Sequence, residues 1–353
     1  MISVVDRFFG KIKTGLNRAS FLFVLPLFFV GLSGCDRGPE VIKLSGWIMG
    51  TSYHITVVAD QPVTTDLEEQ VVSILTAVDL SMSTYKEDSE LSRFNRLAVS
   101  QPMEISEGLH QVLSISQHVW EQTEGAFDPT VGPLVDLWGF GPAPTLDHIP
   151  AQGEIDQAVA LVGFEHLLLE AEIAQKTKRV AIDLSAVAKG FAVDNIADFL
   201  EEQAQTRYMV EVGGEMRVSG TNPNNQPWRV AIESPAVPGQ EMISQVNRII
   251  PLQDMAIATS GDYRNYFEKD GKRYSHTIDP RTGRPITHNL VSVTVLTERC
   301  AEADALATAF MVMGAEQTLT FADQRDLPVY MLVKQDNGFD AIYSQAFSEF
   351  LED

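Results

Sequence analysis

The sequence predicts a chain of mixed α and β structure built around a mostly antiparallel sheet. Apolar residues from Leu67 to Met82 repeat at the spacing of a helix, whereas short runs from Tyr208 onward alternate apolar and polar residues as strands do. Turn-forming residues from Asn222 to Asn225 and from Lys269 to Lys272 separate some of those runs. Short turns of this kind favour antiparallel pairing of the strands that they join.

The first part of the chain is predicted to begin with strands and continue with helices. Its elements are extended segments from Leu44 to Val58 broken at Gly50, a helix from Leu67 to Met82, a short helix with Leu91 and Phe94, and a helix from Ser106 to Glu124. Gly125 follows the last of these helices and suits a C-terminal cap. A stretch rich in Gly and Pro then marks an internal boundary near residues 139–153.

The second part is predicted to be richer in strands. Its elements are a helix near Ile155 to Val162, strands around His166 to Glu170 and Arg179 to Asp183, a helix from Ser185 to about Gln203, strands Tyr208 to Val212, Met216 to Ser219, Trp228 to Glu233, Ala256 to Thr259, Val291 to Leu296 and Val329 to Val333, and a hairpin pairing Tyr266-Phe267 with Arg273-Tyr274. Ser185 is predicted to be the N-cap of its helix.

The N-terminus reads as a lipoprotein signal peptide over residues 1–34. Four basic residues precede an apolar run from Phe21 to Leu32, which is too short to span a bilayer, and small residues then precede Cys35. Cys35 would carry the lipid, residues 35–45 would form the tether, and residues 46–353 the folded domain. The alternative is an uncleaved anchor followed by an ordinary cysteine. Asp36 resembles the signal that keeps bacterial lipoproteins in the inner membrane, facing the periplasm.

Net charge and cysteine content exclude some binding partners and an intramolecular disulfide. Removal of residues 1–34 takes away four basic residues and Asp6, so the formal charge moves from −22 to about −25. This acidity argues against nucleic acid as a partner and against adhesion to anionic lipid headgroups. The lipid on Cys35 would then be what attaches the protein to the membrane. Cys300 is then the only other thiol, so no intramolecular disulfide forms and its expected role is packing.

The most informative segment pairs a polar turn with a helix. Residues from Ser275 to Pro285 read Ser-His-Thr-Ile-Asp-Pro-Arg-Thr-Gly-Arg-Pro, and a helix containing Asp304 and Thr308 follows. Positions i and i+4 lie on the same helix face, so the Asp304 carboxylate and the Thr308 hydroxyl would point toward the same ligand. Such oxygen ligands suit Mg²⁺, and Mn²⁺ as well. The alternative is a solvated Asp beside a surface Thr.

Other segments have the same character of a turn entering a helix. The first is Gly125 to Leu134, containing Ala-Phe-Asp-Pro-Thr, and the second is Ile182 to Ala192, containing Asp-Leu-Ser-Ala-Val-Ala-Lys-Gly. In the second segment, the amides of the first helical turn would point outward, a geometry that receives phosphate oxygens. With Met49-Gly50-Thr51, Met82 to Tyr85 and Glu211-Val212-Gly213-Gly214-Glu215, they make the chain resemble the ApbE family of FAD:protein FMN transferases. The resemblance runs from about Gly46 to the C-terminal strands.

This resemblance implies a fold and an activity. The fold would be α+β, with antiparallel sheets packed with helices, related to the T-fold and divided into two intimately joined lobes. The enzyme would cleave the diphosphate of FAD, release AMP and join FMN through a phosphoester bond to a Ser or Thr of an acceptor protein. Family acceptors are subunits of sodium-pumping NADH:quinone reductase (Nqr) or of the related Rnf complex, carrying a Ser/Thr-Gly-Ala-Ser/Thr type segment.

The resemblance also implies the site residues. Metal ligands would be the side chains of Asp304 and Thr308 and the backbone carbonyl of Ala186. The residues that match family positions contacting FAD are Met49, Tyr85, Ala126, Phe127, Asp128, Asp183, Lys189 and Ile278. Core packing is the alternative for Met49, Phe127 and Ile278, and Asp183 could equally be a cap or turn residue.

His276 is the candidate proton acceptor, because an imidazole titrates near neutral pH. Asp279 or Asp262 could carry the proton instead. Arg281 and Arg284 would either clamp phosphate or brace their turn. Two other functions use the same pocket: an FAD diphosphatase with water as acceptor, and a flavin-binding lipoprotein without catalysis. The pair of Asp304 and Thr308 argues against the pure binder.

Overall fold

The computed structural model describes residues 39–59, 61–141, 149–234, 245–262, 266–269, 272–336 and 338–351. The predicted signal peptide and Cys35 lie outside these residues. The strands are β1 (Glu40–Ile48), β2 (Thr51–Ala59), β3 (Met103–Glu104), β4 (Leu167–Glu170), β5 (Ile173–Lys176), β6 (Tyr208–Val212), β7 (Glu215–Ser219), β8 (Trp228–Ser234), β9 (Gln245–Leu252), β10 (Met255–Gly261), β11 (Tyr266–Lys269), β12 (Lys272–Ser275), β13 (Ile278–Asp279), β14 (Arg284–Pro285), β15 (Leu290–Thr297), β16 (Val329–Gln335) and β17 (Gly338–Tyr343).

Helices cover much of the remaining described chain. They are α1 (Leu67–Met82), α2 (Glu90–Arg96), α3 (Glu107–Gln122), α4 (Gly132–Leu137), α5 (Gln152–Val159), α6 (Ala188–Glu202), α7 (Cys300–Met313) and α8 (Ala315–Gln324), with 3-10 turns at Phe164–His166 and Gln345–Phe350. No helix within the described residues is long and apolar enough to cross a membrane.

One antiparallel sheet organises the chain. Its strand order is β1-β2-β6-β7-β10-β15-β16-β17, and every neighbouring pair runs antiparallel. Alternate residues of each strand point to opposite faces, so Val57 joins the core under helices α1, α3, α6 and α7, whereas Val58 joins a second core. That second core is covered by the β8–β9 ribbon and Phe347. The α+β class is therefore confirmed.

Several predicted elements are confirmed closely. Strands β1 and β2 form the hairpin broken at Gly50, which has a φ of 72° in its turn. Helix α1 has the predicted bounds, and Ser106 caps α3 by accepting a hydrogen bond from the Leu109 N–H. Strands β11 and β12 form the predicted hairpin. Residues 40–45, assigned to the tether by the sequence, form the first part of β1.

The predicted strand from Arg179 to Asp183 is wrong. Val180 and Ile182 are buried at alternate positions, as in a strand. The backbone of this segment, however, belongs to no strand of a sheet. Asn95 accepts from the Ile182 N–H and donates to the Ile182 carbonyl, each at 2.8 Å. A single parallel bridge joins Ala181 to Val131. The extended segment therefore satisfies its backbone groups without entering a sheet.

The predicted N-cap at Ser185 is also wrong, because α6 begins three residues later at Ala188. The Ser185 N–H and hydroxyl both donate to Asp183 Oδ1, at 2.8 and 2.5 Å. This local turn competes with helix formation and delays it. Strands β5 and β9 were not predicted from the sequence. The boundary near residues 139–153 stays a prediction, since residues 142–148 lie outside the described chain.

Helices α6 and α7 approach closely where the site forms. Asp194 of α6 is buried, and its two oxygens accept the N–H groups of Cys300 and Ala301, both at 3.0 Å. The first amides of a helix lack acceptors inside it, so Asp194 caps α7 from a neighbouring helix. Arg217 and Arg299 lie beside the same carboxylate, at 3.4 and 3.5 Å. Cys300 is fully buried, as its predicted packing role requires.

Replacing Asp194 with Ala is expected to lower the free energy of unfolding by about 3 kcal/mol, because two buried amides lose their acceptor. Urea unfolding followed by circular dichroism measures this change. Asp198→Ala is the matched control, since Asp198 pairs with both arginines but is 40% exposed. Its loss should stay below about 1 kcal/mol. Equal losses in the two variants would contradict the capping role.

Candidate active site

A buried ion pair lies where α6 meets the sheet. Lys189 sits in the first turn of α6, and its Nζ is 2.5 Å from Glu215 Oε1 at the start of β7. Glu215 is almost completely buried, whereas 30% of the Lys189 side chain is exposed. Burial alone would lower the pKa of Lys189, but the carboxylates of Asp304 and Glu215 raise it above its ordinary value. Lys189 is therefore a charged group that a ligand can reach.

Asp304 brings a second carboxylate to this pair from α7. It is 3% exposed, and its Oδ2 accepts the Gly190 N–H at 3.1 Å. Burial raises the pKa of Asp304, and the Lys189 ammonium opposes that shift. Burial likewise raises the pKa of Glu215 against the same ammonium. Two carboxylates thus share one ammonium in a region of low dielectric.

Gly190 permits this contact between the helices. A Cβ at this position would lie 2.4 Å from the carbonyl oxygen of Cys300 and 2.8 Å from the Cα of Ala301. Both atoms belong to the backbone of α7, so a side chain would push the helices apart. The absence of a side chain at residue 190 therefore places Lys189 beside Asp304.

Thr308 lies one turn after Asp304 on the same face of α7, as predicted. Its Oγ1 is 3.0 Å from the hydroxyl of Ser260, which belongs to β10. Thr308 is half-buried, and it lies on the same helix face as the buried carboxylate of Asp304. Ser260 was not predicted as a site residue, and no motif in the sequence indicated it.

The turn between β6 and β7 supports the ion pair. Gly213 and Gly214 have φ angles of 66° and 106°, in the region that favours glycine. A Cβ on Gly213 would lie 3.0 Å from Thr51 and 3.1 Å from Cδ of Lys189. The turn therefore brings the β1–β2 hairpin next to the aliphatic stem of Lys189. Met49 lies two residues before Thr51, half-buried and at a φ of 53°.

The loops around Asp128 and Asp183 are joined by a backbone bond. The Asp183 N–H donates to the Pro129 carbonyl at 2.7 Å. Asp128 accepts from the Thr130 N–H, the Thr130 hydroxyl and the Phe164 N–H, so its carboxylate braces this loop. Burial raises the pKa of Asp128 despite these bonds. The predicted roles of both aspartates toward FAD stay predictions, while their contacts here shape the loops.

The other predicted FAD residues are divided between surface and core. Tyr85 is 71% exposed, and Ala186 is half-buried just before α6. Ala126 and Phe127 are buried, and the Phe127 ring lies in the core under the helices. Ile278 packs in a separate small core with Leu134 and Trp138. The core-packing alternative thus describes the side chains of Phe127 and Ile278.

His276 is half-buried in the described structure. Its ring is in edge-on contact with Phe140, at 6.3 Å between ring centroids. The Arg281 guanidinium donates to Asp279 at 2.9 and 3.0 Å within the turn, as one alternative predicted. Arg284 instead donates to Gln152 of α5. Asp262 is buried and its N–H donates to the Val291 carbonyl.

The donor set near Asp304 fits a hard divalent cation. Two carboxylates against one ammonium leave a net negative charge, and Glu215 Oε2 is buried without a hydrogen-bond partner among the described residues. Within the described residues no group of three or more His, Cys, Asp and Glu side chains could hold a metal by itself. A metal site here would therefore have to include a hydroxyl or a carbonyl, and Thr308 offers a hydroxyl on the same helix face as Asp304, while the role of the Ala186 carbonyl stays a prediction.

Comparison with known proteins decides the family. The family model described as the ApbE family matches residues 49–331. The chain belongs to the ApbE family. A Vibrio cholerae protein named FAD:protein FMN transferase is 47% identical over 324 residues, covering 91% of this chain and 96% of that protein. This ApbE chain is therefore an enzyme of the transferase class.

Solved structures of ApbE proteins share its fold. The flavin transferase ApbE from Vibrio cholerae superposes with a TM-score of 0.81 at 45% identity, covering 88% of this chain and 99% of that one. The flavinyl transferase ApbE from Pseudomonas stutzeri gives 0.81 at 36% identity, covering 89% and 97%. Sequence reasoning included Gly190 and Glu215 in family motifs without assigning either to the site, and it did not name Ser260. The Gly-Gly-Glu run carried the signal for Glu215, since glycines with positive φ allow tight approach.

Proposed function

We propose that this ApbE protein is a Mg²⁺-dependent FAD:protein FMN transferase. It cleaves the diphosphate of FAD, releases AMP and joins the FMN phosphate to a Ser or Thr hydroxyl of an acceptor protein. The observation that carries the proposal is the cluster of Asp304, Glu215 and Lys189, with the Thr308 hydroxyl on the same helix face. It offers a cation site and an ammonium side by side, as a diphosphate requires.

Different residues would bind the metal ion and the parts of FAD. Asp304, Thr308 and the Ala186 carbonyl would hold Mg²⁺, with Mn²⁺ as a substitute. When bound, the cation supplies positive charge that polarises the phosphoryl oxygens and neutralises the leaving group. Lys189, whose side chain is partly exposed, would contact the diphosphate with its ammonium, and Tyr85 and Met49 would cover the flat ring systems.

Transfer then needs a positioned nucleophile and a route for its proton. The acceptor hydroxyl oxygen forms a bond to the FMN phosphorus while the bond from that phosphorus to the bridging oxygen breaks, and AMP leaves with that oxygen. The hydroxyl proton would pass to the imidazole of His276, which is half-buried. Backbone from Ala126 to Asp128 and Asp183 borders the nucleotide.

The location and partners are part of the same proposal. Lipid on Cys35 would hold the enzyme at the periplasmic face of the bacterial inner membrane. Its acceptors would be membrane redox subunits of the Nqr or Rnf type, with a Ser/Thr-Gly-Ala-Ser/Thr type segment. The N-terminal sequence supports the lipid, and the family resemblance supports the acceptors. Mass spectrometry of the native N-terminus tests the lipid directly.

The test of the reaction combines the purified protein with FAD, Mg²⁺ and an acceptor domain that carries such a segment. AMP release is followed by chromatography, and flavin on the denatured acceptor by intact mass, with a chelator as the control. Stoichiometric, metal-dependent AMP and acceptor-bound FMN are expected. AMP with free FMN and an unlabelled acceptor would instead indicate an FAD diphosphatase, and FAD binding without either product would indicate a binder.

A further inference from the structure

Glu215 is the one member of the charged cluster with no role so far in the reaction. It begins β7, directly after the two glycines of the β6–β7 turn, and is 3% exposed. Oε1 contacts Lys189 Nζ at 2.5 Å, whereas Oε2 has no hydrogen-bond partner among the described residues. A carboxylate oxygen left unpaired in the interior costs stability, so the presence of Glu215 at this position calls for an explanation.

The surrounding turn holds Glu215 in a defined place. Glu211 Oε1 accepts the Gly214 N–H at 2.6 Å, and Glu211 Oε2 contacts His54 Nδ1 at 2.6 Å across the β2–β6 pair. Gly213 leaves room for the Lys189 stem on the other side. These contacts hold the backbone of the turn that leads into Glu215, and the Glu215 carboxylate in turn holds the Lys189 ammonium through Oε1.

This arrangement differs from a simple phosphate-binding lysine. An ammonium held at 2.5 Å by a buried carboxylate attracts phosphate less strongly than a free one, because the two charges offset each other. It is also held in one position, which a long, flexible lysine otherwise lacks. Weaker attraction in the ground state combined with better orientation favours the transition state over bound substrate.

We propose that Glu215 is a positioning residue of the transfer reaction, which orients Lys189 toward the diphosphate of FAD and offsets its charge until substrate binds. The inference rests on the proposed function, because it assigns Lys189 to the diphosphate. It predicts a separation of binding from turnover. Loss of the Glu215 charge strengthens FAD binding and slows catalysis, whereas damage to the fold would weaken both.

The experiment compares Glu215→Gln with the unaltered protein. FAD affinity is measured by quenching of flavin fluorescence with a chelator present, so that no turnover occurs, and kcat and KM are measured from AMP release with Mg²⁺. The expected result is an FAD dissociation constant about threefold lower and a kcat at least about tenfold lower. Glu215→Asp keeps the charge beside the ammonium and should recover part of the lost kcat, whereas its shorter side chain holds Lys189 less well than Glu215 does.

Two controls make the outcome decisive. Glu298→Gln removes an exposed carboxylate and should change neither quantity. Lys189→Met combined with Glu215→Gln should abolish the gain in FAD affinity, since the ammonium that causes it is gone. Unchanged kcat in Glu215→Gln, or parallel losses of FAD affinity and melting temperature, would overturn the inference. If the unaltered protein releases no AMP, the proposed function fails, while the binding comparison still tests whether Glu215 offsets the charge of Lys189.

Discussion

Replacing Asp304 with Asn is expected to lower Mg²⁺-dependent AMP release from FAD by about a thousandfold, because the buried negative charge that attracts the cation is lost. Asn retains the shape of the side chain, and its carbonyl oxygen can still accept the Gly190 N–H that Asp304 accepts at 3.1 Å. The contact between α6 and α7 should therefore persist. AMP release at saturating FAD, followed over a range of Mg²⁺ concentrations, measures the effect.

The matched control is Glu302→Gln on the same helix. Glu302 lies two residues before Asp304 and so on the opposite face of α7, where its loss removes one charge without touching the cluster. Its turnover and Mg²⁺ response should equal those of the unaltered protein. An Asp304→Asn variant that turns over within tenfold of the unaltered protein would refute the assignment of Asp304 as a ligand. Persistence of AMP release in excess chelator would refute the metal itself.

Gly190→Ala is expected to destabilise the fold by about 3 kcal/mol and to remove most of the AMP release. A Cβ would lie 2.4 Å from the Cys300 carbonyl oxygen, and neither helix backbone can yield without moving the other elements that pack on it. Separation of the helices would also break the bond from the Gly190 N–H to Asp304 and shift Lys189. Thermal unfolding and AMP release on the same preparation measure both effects.

Gly153→Ala makes the same chemical change in another helix and serves as the control. A Cβ on Gly153 of α5 would meet no atom within 4 Å. Alanine favours helix over glycine by up to about 1 kcal/mol, so this variant should be as stable as the unaltered protein or slightly more so. Activity should be unchanged. If Gly190→Ala behaved like Gly153→Ala, the close approach of α6 and α7 would not be required for the site.

Local patterns predicted most of the elements because their causes are local. Apolar spacing places α1, and the glycine at position 50 ends β1 in a turn. The same reasoning failed from Arg179 to Asp183, where alternating burial is real but Asn95 and Pro129 supply the partners that a neighbouring strand would supply. It failed at Ser185 because Asp183 takes both of its donors. A pattern of apolar and polar residues does not predict hydrogen bonds to distant residues or to competing side chains nearby.

The sequence by itself determined the family motifs, the acidic balance, and the placing of Asp304 and Thr308 on one helix face, since each depends on residue identity and short spacing. Only the tertiary structure decided that Lys189 pairs with Glu215 and that the Gly190 N–H donates a hydrogen bond to Asp304, 114 residues later in the sequence. The physical reason is that a missing side chain at Gly190 and positive φ angles at Gly213 and Gly214 set how closely three elements approach. Packing over such distances brings the charges together.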